Sequence, residues 1–166
     1  MSLENQTKVI VGLGSCGIAA GARKVYETLE EYIKNNDVPV QLDLTSCIGM
    51  CYKEPLVEIR PAGAEFGHLY GEVDTQKIIE IMEKDVIGGE KIEDWLILGD
   101  DLETPEVKSY DRQERIVLRN AGIINPESLD EYRDKDGYKG LEKALNQMDS
   151  DSVIEEVKKS GLRGRG

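Results

Sequence analysis

Hydrophobic and polar positions in residues 1–90 switch between the periods typical of strands and of helices. Val9, Ile10 and Val11 form a β-branched run that predicts a strand ending at Gly12. Apolar residues then recur every three or four positions, which predicts one helix from about residue 17 to residue 35. These residues are Ile18, Ala22, Val25, Leu29 and Ile33. Apolar and polar residues alternate over 38–44, which predicts a second, half-buried strand.

Residues 55–90 carry the patterns of two further strands and a second helix. Pro55 precedes the apolar run 56–60, and residues 66–70 can pair with that run as a hairpin. Asp74 is a typical helix cap, and the apolar positions that follow it end before two consecutive glycines. The predicted order β-α-β-β-β-α in residues 1–90 is that of a thioredoxin-like α/β sandwich.

The remainder of the chain has a different character. Residues 91–110 are acidic and interrupted by Pro105, so we predict a linker. Helices without a strand are predicted after it, over 113–120, from the cap residue Asn125, around 138–148 and, with Asp149 or Asp151 as cap, over 152–159. We therefore expect three regions, namely a thioredoxin-like domain in 1–90, an acidic linker in 91–110 and a helical segment in 111–166.

The bulk composition excludes several classes of function. A net charge of −12 argues against a nucleic-acid or anionic-membrane surface, because both need basic patches. No apolar run approaches the roughly 20 residues that span a bilayer, so no direct membrane insertion is expected. The three cysteines are an odd number, which disfavours a disulfide framework. We expect a reducing, cytoplasmic compartment.

The three cysteines are the candidate metal ligands. Cys16 follows the loop after the first strand, and Cys47 and Cys51 flank Gly49 in the loop after the second. We expect the three thiols to meet at one end of the sheet, as an iron–sulfur centre requires. An all-cysteine 2Fe–2S cluster takes four ligands, and the chain is one cysteine short.

Other interpretations of these residues stay open. Cys47 and Cys51 are also compatible with buried apolar thiols or with a redox disulfide. A zinc site would need His68, the only histidine, which lies on the predicted hairpin.

Glycine-rich stretches offer two further interpretations. The glycines 12, 14 and 17 match a Gly-x-Gly-x-x-Gly dinucleotide turn, although we expect them to shape the Cys16 loop instead. The terminal Gly164, Arg165 and Gly166 suit a phosphate-bearing ligand or a flexible basic terminus.

Several segments resemble a known family. Residues 9–22, 47–52 and 54–57 resemble the thioredoxin-like 2Fe–2S ferredoxin domain of the flavin-bearing, NADH-oxidising subunit of NADH dehydrogenases and NAD(P)-linked iron hydrogenases. Residues 113–120, residues 122–126 and Tyr132 resemble that subunit's segment leading into its flavin domain, and residues 160–166 are similar to the opening of its glycine-rich FMN and NADH loop. The resemblance implies that Gly164, Arg165 and Gly166 contact FMN and NAD(H) in a longer chain.

The resemblance also implies a function and exposes one departure. In the family, NADH gives a hydride to FMN and electrons leave through iron–sulfur centres, with other subunits of a multi-subunit complex as partners. The family's fourth cysteine, before the residue matching Cys16, is absent from residues 11–14, so a 2Fe–2S cluster would need Ser15, water or another unusual ligand. We expect a fragment that is not catalytic alone. The alternatives are a cluster-free docking module and a thiol–disulfide oxidoreductase.

Overall fold

The computed structural model describes residues 6–64, 66–99 and 112–163. They divide into two compact units, Met1–Glu127 and Ser128–Gly166. The predictions for residues 100–111 and for Gly164, Arg165 and Gly166 lie outside the described residues.

The first unit contains one mixed five-stranded sheet with the strand order β2-β1-β3-β4-β5. Its strands are β1 (Thr7–Gly12), β2 (Val40–Thr45), β3 (Val57–Arg60), β4 (His68–Tyr70) and β5 (Leu96–Leu98). β1 and β2 are parallel, and the remaining neighbours are antiparallel. The parallel pair needs a helical crossover, which α1 (Ser15–Ala20) and α2 (Ala22–Asn36) supply.

The main core lies between the sheet and the helices. Val9 and Val11 of β1 are fully buried in one cluster with Leu29 of α2. The same cluster includes Ile78 of α3 (Thr75–Ile81), a helix that continues into a π-helical turn, Met82–Ile87. A second, smaller cluster comprises Ile48, Met50, Leu56, Leu69 and Ile97. The α/β, thioredoxin-like arrangement predicted for the sandwich is therefore confirmed.

Two local features differ from the sequence prediction. The single helix predicted from residue 17 is broken at Gly21, whose φ of +108° ends α1 and precedes α2. β5 lies in the stretch predicted as a linker. A three-residue strand is too short to show alternation, and it forms here because it pairs with β4. The predicted cap at Asp74 is confirmed, since its carboxylate accepts the N–H groups of Gln76 and Lys77.

The segment 112–127 belongs to the first unit and forms turns where a helix was predicted over 113–120. Its backbone is held by distant side chains. The Arg60 guanidinium donates to the Gly122 carbonyl at 2.8 Å, and Gly122 N–H donates to Thr45 Oγ1 at 3.1 Å. Asn125, expected as a helix cap, donates from its amide to Asp43 Oδ1 at 2.8 Å. These hydrogen bonds hold the chain just after the predicted helix, and Arg115 within it donates to the Ile48 carbonyl at 2.8 Å, so long-range partners replace the local helix pattern.

The second unit is helical, as predicted. It contains α4 (Leu129–Asp134), α5 (Lys139–Gln147) and α6 (Ser150–Ser160). Ser128 caps α4, and the predicted cap Asp149 accepts the Ser152 N–H at the start of α6. Within the described ranges, no helix is both long and apolar enough to cross a membrane.

Candidate functional site

The ends of β1 and β2 place all three cysteines close to one another. Gly12 and Thr45 are partners at the carboxyl ends of these parallel strands, and Leu13 N–H continues the pairing by donating to the Thr45 carbonyl at 2.9 Å. Cys16 lies in α1 just after β1, whereas Cys47 lies in the loop after β2. Cys51 begins a short 3-10 turn, Cys51–Lys53, at the end of that loop. Parallel pairing therefore brings distant segments of sequence to one edge of the sheet.

The thiol of Cys51 is the centre of the group. Its Sγ lies 3.5 Å from Cys47 Sγ. A hydrogen bond with the Cys16 thiol, which has the larger effect, and one with the Cys47 thiol raise the pKa of Cys51 to about 12. Gly49 N–H donates to Cys47 Sγ at 3.4 Å, and a φ of +94° at Gly49 bends the loop back on itself. Cys16 and Cys51 are exposed and Cys47 is half-buried, so solvent can reach the group.

Two glycines allow the Cys16 loop to approach its surroundings closely. A Cβ added at Gly14 would lie 3.0 Å from both the Cβ and the backbone nitrogen of Cys47. A Cβ at Gly17 would lie 2.4 Å from the Gly12 carbonyl oxygen and 2.9 Å from Glu54 Oε2. The glycines thus shape the loop around the thiols, as expected. The strand that follows β2 is β3, which is antiparallel to β1. A dinucleotide-binding fold would continue with a second crossover to another parallel strand.

Glu54 is a buried acid packed against Gly12 and Gly17, and the sequence pattern did not point to it. Its Oε2 accepts the Leu56 N–H at 3.0 Å, while Oε1 is buried with no hydrogen-bond partner within the described part of the chain. Burial raises the pKa of Glu54, and the Leu56 hydrogen bond opposes that rise in part. The available signal was an acidic residue two positions before the apolar run that starts at Leu56, separated from it only by Pro55.

His68, the candidate fourth ligand for zinc, is engaged elsewhere. Its Nε2 lies 2.5 Å from Asp85 Oδ2, and both residues are buried. Tyr70 OH donates to the same carboxylate oxygen at 2.8 Å. The imidazole therefore belongs to a polar cluster inside the core.

The donor set fits a 2Fe–2S cluster only in part. An all-cysteine cluster takes four sulfur ligands, whereas Cys16, Cys47 and Cys51 provide three. In residues 6–64, 66–99 and 112–163, no group of three or more His, Cys, Asp and Glu side chains is arranged to hold a metal ion. A cluster here would need a non-cysteine fourth ligand and some adjustment of the thiols.

Comparison with known proteins identifies the family, although no family model matches the chain. The NADP-reducing hydrogenase subunit HndB of Solidesulfovibrio fructosivorans is 34% identical over 89 residues, which cover 53% of this chain and 70% of HndB. This chain belongs to the HndB family. The resemblance stated from the sequence is therefore confirmed.

This HndB-family chain also matches small parts of larger proteins. Subunit HndC of the same NADP-reducing hydrogenase is 51% identical over 55 residues, or 33% of this chain and 11% of HndC. An NADH-quinone oxidoreductase subunit of Escherichia coli is 51% identical over 41 residues, or 25% of this chain and 9% of that subunit. The chain thus spans about a tenth of the length of these two relatives.

Solved structures confirm the fold assigned to this HndB-family chain. The thioredoxin-like [2Fe-2S] ferredoxin of Aquifex aeolicus matches with a TM-score of 0.50 and 24% sequence identity. The match covers 57% of this chain and 99% of the ferredoxin. At this identity the likeness concerns the fold alone.

Proposed function

We propose that this chain is an electron-transfer part of an NAD(P)-linked hydrogenase or NADH dehydrogenase. Membership in the HndB family supports this function, as does similarity to HndC and to the NADH-quinone oxidoreductase subunit of Escherichia coli. The single structural observation that carries the proposal is the convergence of three accessible thiols at one end of a thioredoxin-like sheet.

In this proposal, Cys16, Cys47 and Cys51 hold a 2Fe–2S cluster together with a non-cysteine ligand. The Ser15 hydroxyl is the candidate fourth ligand because it directly precedes Cys16 in α1. When bound, such a cluster supplies one-electron transfer. The chain's own contribution is to keep the three sulfurs together at an accessible edge. Gly14 and Gly49 serve this purpose through the close packing and the bend described above.

The flavin and nicotinamide chemistry belongs, in this proposal, to a longer polypeptide or to the assembled complex. Gly164, Arg165 and Gly166 would contact FMN and NAD(H) there, since glycines permit close backbone approach and arginine pairs with phosphate. The partners are other subunits of a multi-subunit NADH dehydrogenase or hydrogenase, in the cytoplasm. A net charge of −12 disfavours nucleic acid as a partner.

A second candidate function is a cluster-free docking module that binds partner subunits. The incomplete donor set favours it, because the described residues do not form a ready metal site. In that case the thioredoxin-like fold would be retained for its surface.

Anaerobic reconstitution distinguishes the two functions. The purified chain is incubated with ferrous iron and sulfide and then desalted. We expect about two iron and two sulfide per chain, a visible charge-transfer band, and a paramagnetic signal after reduction. Cys16→Ser, Cys47→Ser and Cys51→Ser should each lower the iron content, whereas Ala19→Ser, an exposed change in α1, should not. A chain that stays colourless with unchanged folding would contradict the cluster and favour the docking module.

A further inference from the structure

We propose that Cys47 and Cys51 form a reversible disulfide in the metal-free chain, with small-molecule disulfides as the oxidant. The site would then be a redox-sensitive dithiol as well as a candidate metal centre. This inference stands on the geometry of the two thiols and does not require that a cluster is ever bound.

The first supporting observation is the distance between the sulfurs. Cys47 Sγ and Cys51 Sγ are 3.5 Å apart, and a disulfide bond is about 2.05 Å long, so an approach of about 1.5 Å suffices. Between them, Gly49 has open space around it, because an added Cβ there would meet no atom within 4 Å, whereas its neighbours Ile48 and Met50 are buried. The pair also lies near the surface, where an oxidant can reach it.

The second observation concerns which thiol pairs with Cys51. Cys16 also hydrogen-bonds with Cys51, but it lies in α1 beside the tightly packed Gly17. An added Cβ at Gly17 would lie only 2.4 Å from the Gly12 carbonyl oxygen, so α1 is packed closely there and has little room to move toward that oxygen. Cys47 and Cys51 share one short loop, and their sulfur atoms already lie within hydrogen-bonding distance of each other at 3.5 Å. Cys47 is therefore the favoured partner.

The chemistry is a balanced thiol–disulfide exchange. The Cys47 sulfur attacks a disulfide RS–SR, forming a mixed disulfide and releasing RS⁻, which takes up the Cys47 proton as RSH. The Cys51 sulfur then attacks the Cys47 sulfur, so that the second RS⁻ leaves and accepts the Cys51 proton. Two protein thiols are oxidised to one disulfide, and one RSSR is reduced to two RSH.

A Cys47–Cys51 disulfide would remove two of the three candidate ligands from the site. Oxidation and metal binding would consequently exclude each other. The thiol redox state would then decide whether the site can accept iron at all.

The test uses the whole chain, stripped of metal with a chelator and kept free of oxygen. Samples are equilibrated with mixtures of reduced and oxidised glutathione, quenched with acid, alkylated and digested with trypsin. Cys47 and Cys51 lie on one peptide, residues 35–53, whereas Cys16 lies on another, residues 9–23. A Cys47–Cys51 bond therefore leaves peptide 35–53 without alkyl groups and two hydrogens lighter than its dithiol form. A bond to Cys16 instead links two peptides.

We expect the light 35–53 peptide to increase with the oxidised glutathione fraction and to revert on reduction. Ala19→Ser, an exposed change in α1, is the matched control and should keep the equilibrium constant within about threefold, whereas Cys16→Ser should still yield the internal 35–53 bond. Cys47→Ser and Cys51→Ser should abolish the internal bond and leave a glutathione adduct on the remaining thiol. Fully alkylated thiols in oxidised glutathione, or mainly linked peptides, would overturn the proposal. Iron and sulfide contents are measured on separate reconstituted samples, so the two proposals can fail independently.

Discussion

The Nε2 atom of His68 lies 2.5 Å from Oδ2 of Asp85, joining β4 to the π-helical turn in the interior of the first unit. Tyr70 OH donates to the same oxygen and itself accepts the Ile92 N–H at 3.1 Å. Burial alone raises the pKa of Asp85, but the hydrogen bonds from His68 and Tyr70 outweigh it, and the net pKa is lowered. The cluster therefore links β4, the π-helical turn and the chain before β5.

This lowered pKa makes Asp85 a source of pH-dependent stability. The unfolded value is about 3.9, so the ionised carboxylate stabilises the fold above that pH. The stabilisation is lost as the pH falls through the lower folded pKa. We expect Asp85→Asn to lower the free energy of unfolding by about 3 kcal/mol at neutral pH and by much less at strongly acidic pH. Urea denaturation at both pH values measures the difference.

The matched control for Asp85 is Asp94→Asn, an exposed position with the same chemical change. It should leave the stability nearly unchanged at both pH values. An equal loss for Asp85→Asn at neutral and acidic pH would contradict the charge-based explanation.

Glu54 is expected to behave in the opposite way. Its pKa is raised by burial, so its contribution to stability is present below the unfolded value and is lost as the pH rises through the folded pKa. Glu54→Gln keeps an acceptor for the Leu56 N–H and removes the buried charge, and we expect a gain of about 1 kcal/mol at neutral pH. Thermal unfolding at pH 4 and pH 8 measures it. Glu27→Gln, exposed on α2, is the control and should show no such gain.

Gly14→Ala tests the packing that positions Cys47. The new methyl group would lie 3.0 Å from the Cys47 backbone nitrogen and Cβ, so the Cys47 loop must shift by a few tenths of an ångström. We expect a loss of about 1–3 kcal/mol in unfolding free energy and faster alkylation of Cys47. Gly140→Ala, where an added Cβ meets no atom within 4 Å, should be neutral or slightly stabilising. An unchanged alkylation rate for Cys47 would show that Gly14 does not position it.

Arg60→Lys tests how the 112–127 segment is held. The Arg60 guanidinium binds Glu58 through two hydrogen bonds, at 2.7 and 2.9 Å, and also reaches the Gly122 carbonyl. Lysine keeps the positive charge, but its single ammonium group cannot make the paired hydrogen bonds of the planar guanidinium. We expect trypsin to cleave after Arg119 about tenfold faster in native conditions. Arg23→Lys on the exposed face of α2 should leave the rate unchanged, and equal cleavage in both variants would refute this role for Arg60.

Local pattern by itself determined much of this protein. The β-branched run of β1, the three-and-four spacing of α2 and the caps at Asp74 and Asp149 are all encoded within a few neighbouring residues. The position of each cysteine after a predicted strand also predicted that the thiols would meet, because the ends of parallel strands lie at one edge of a sheet. The family resemblance rested on the same short motifs.

Only the tertiary structure decided the features that join distant positions. β5 forms because it pairs with the edge of β4. Residues 113–120 form turns where a helix was predicted, and Thr45 and Arg60 hold this segment by hydrogen bonds to Gly122. The burial of Glu54 and the pairing of His68 with Asp85 depend on partners that sequence spacing does not reveal. Propensity acts over a few residues, whereas these contacts gain their free energy from burial and hydrogen bonding across the whole fold.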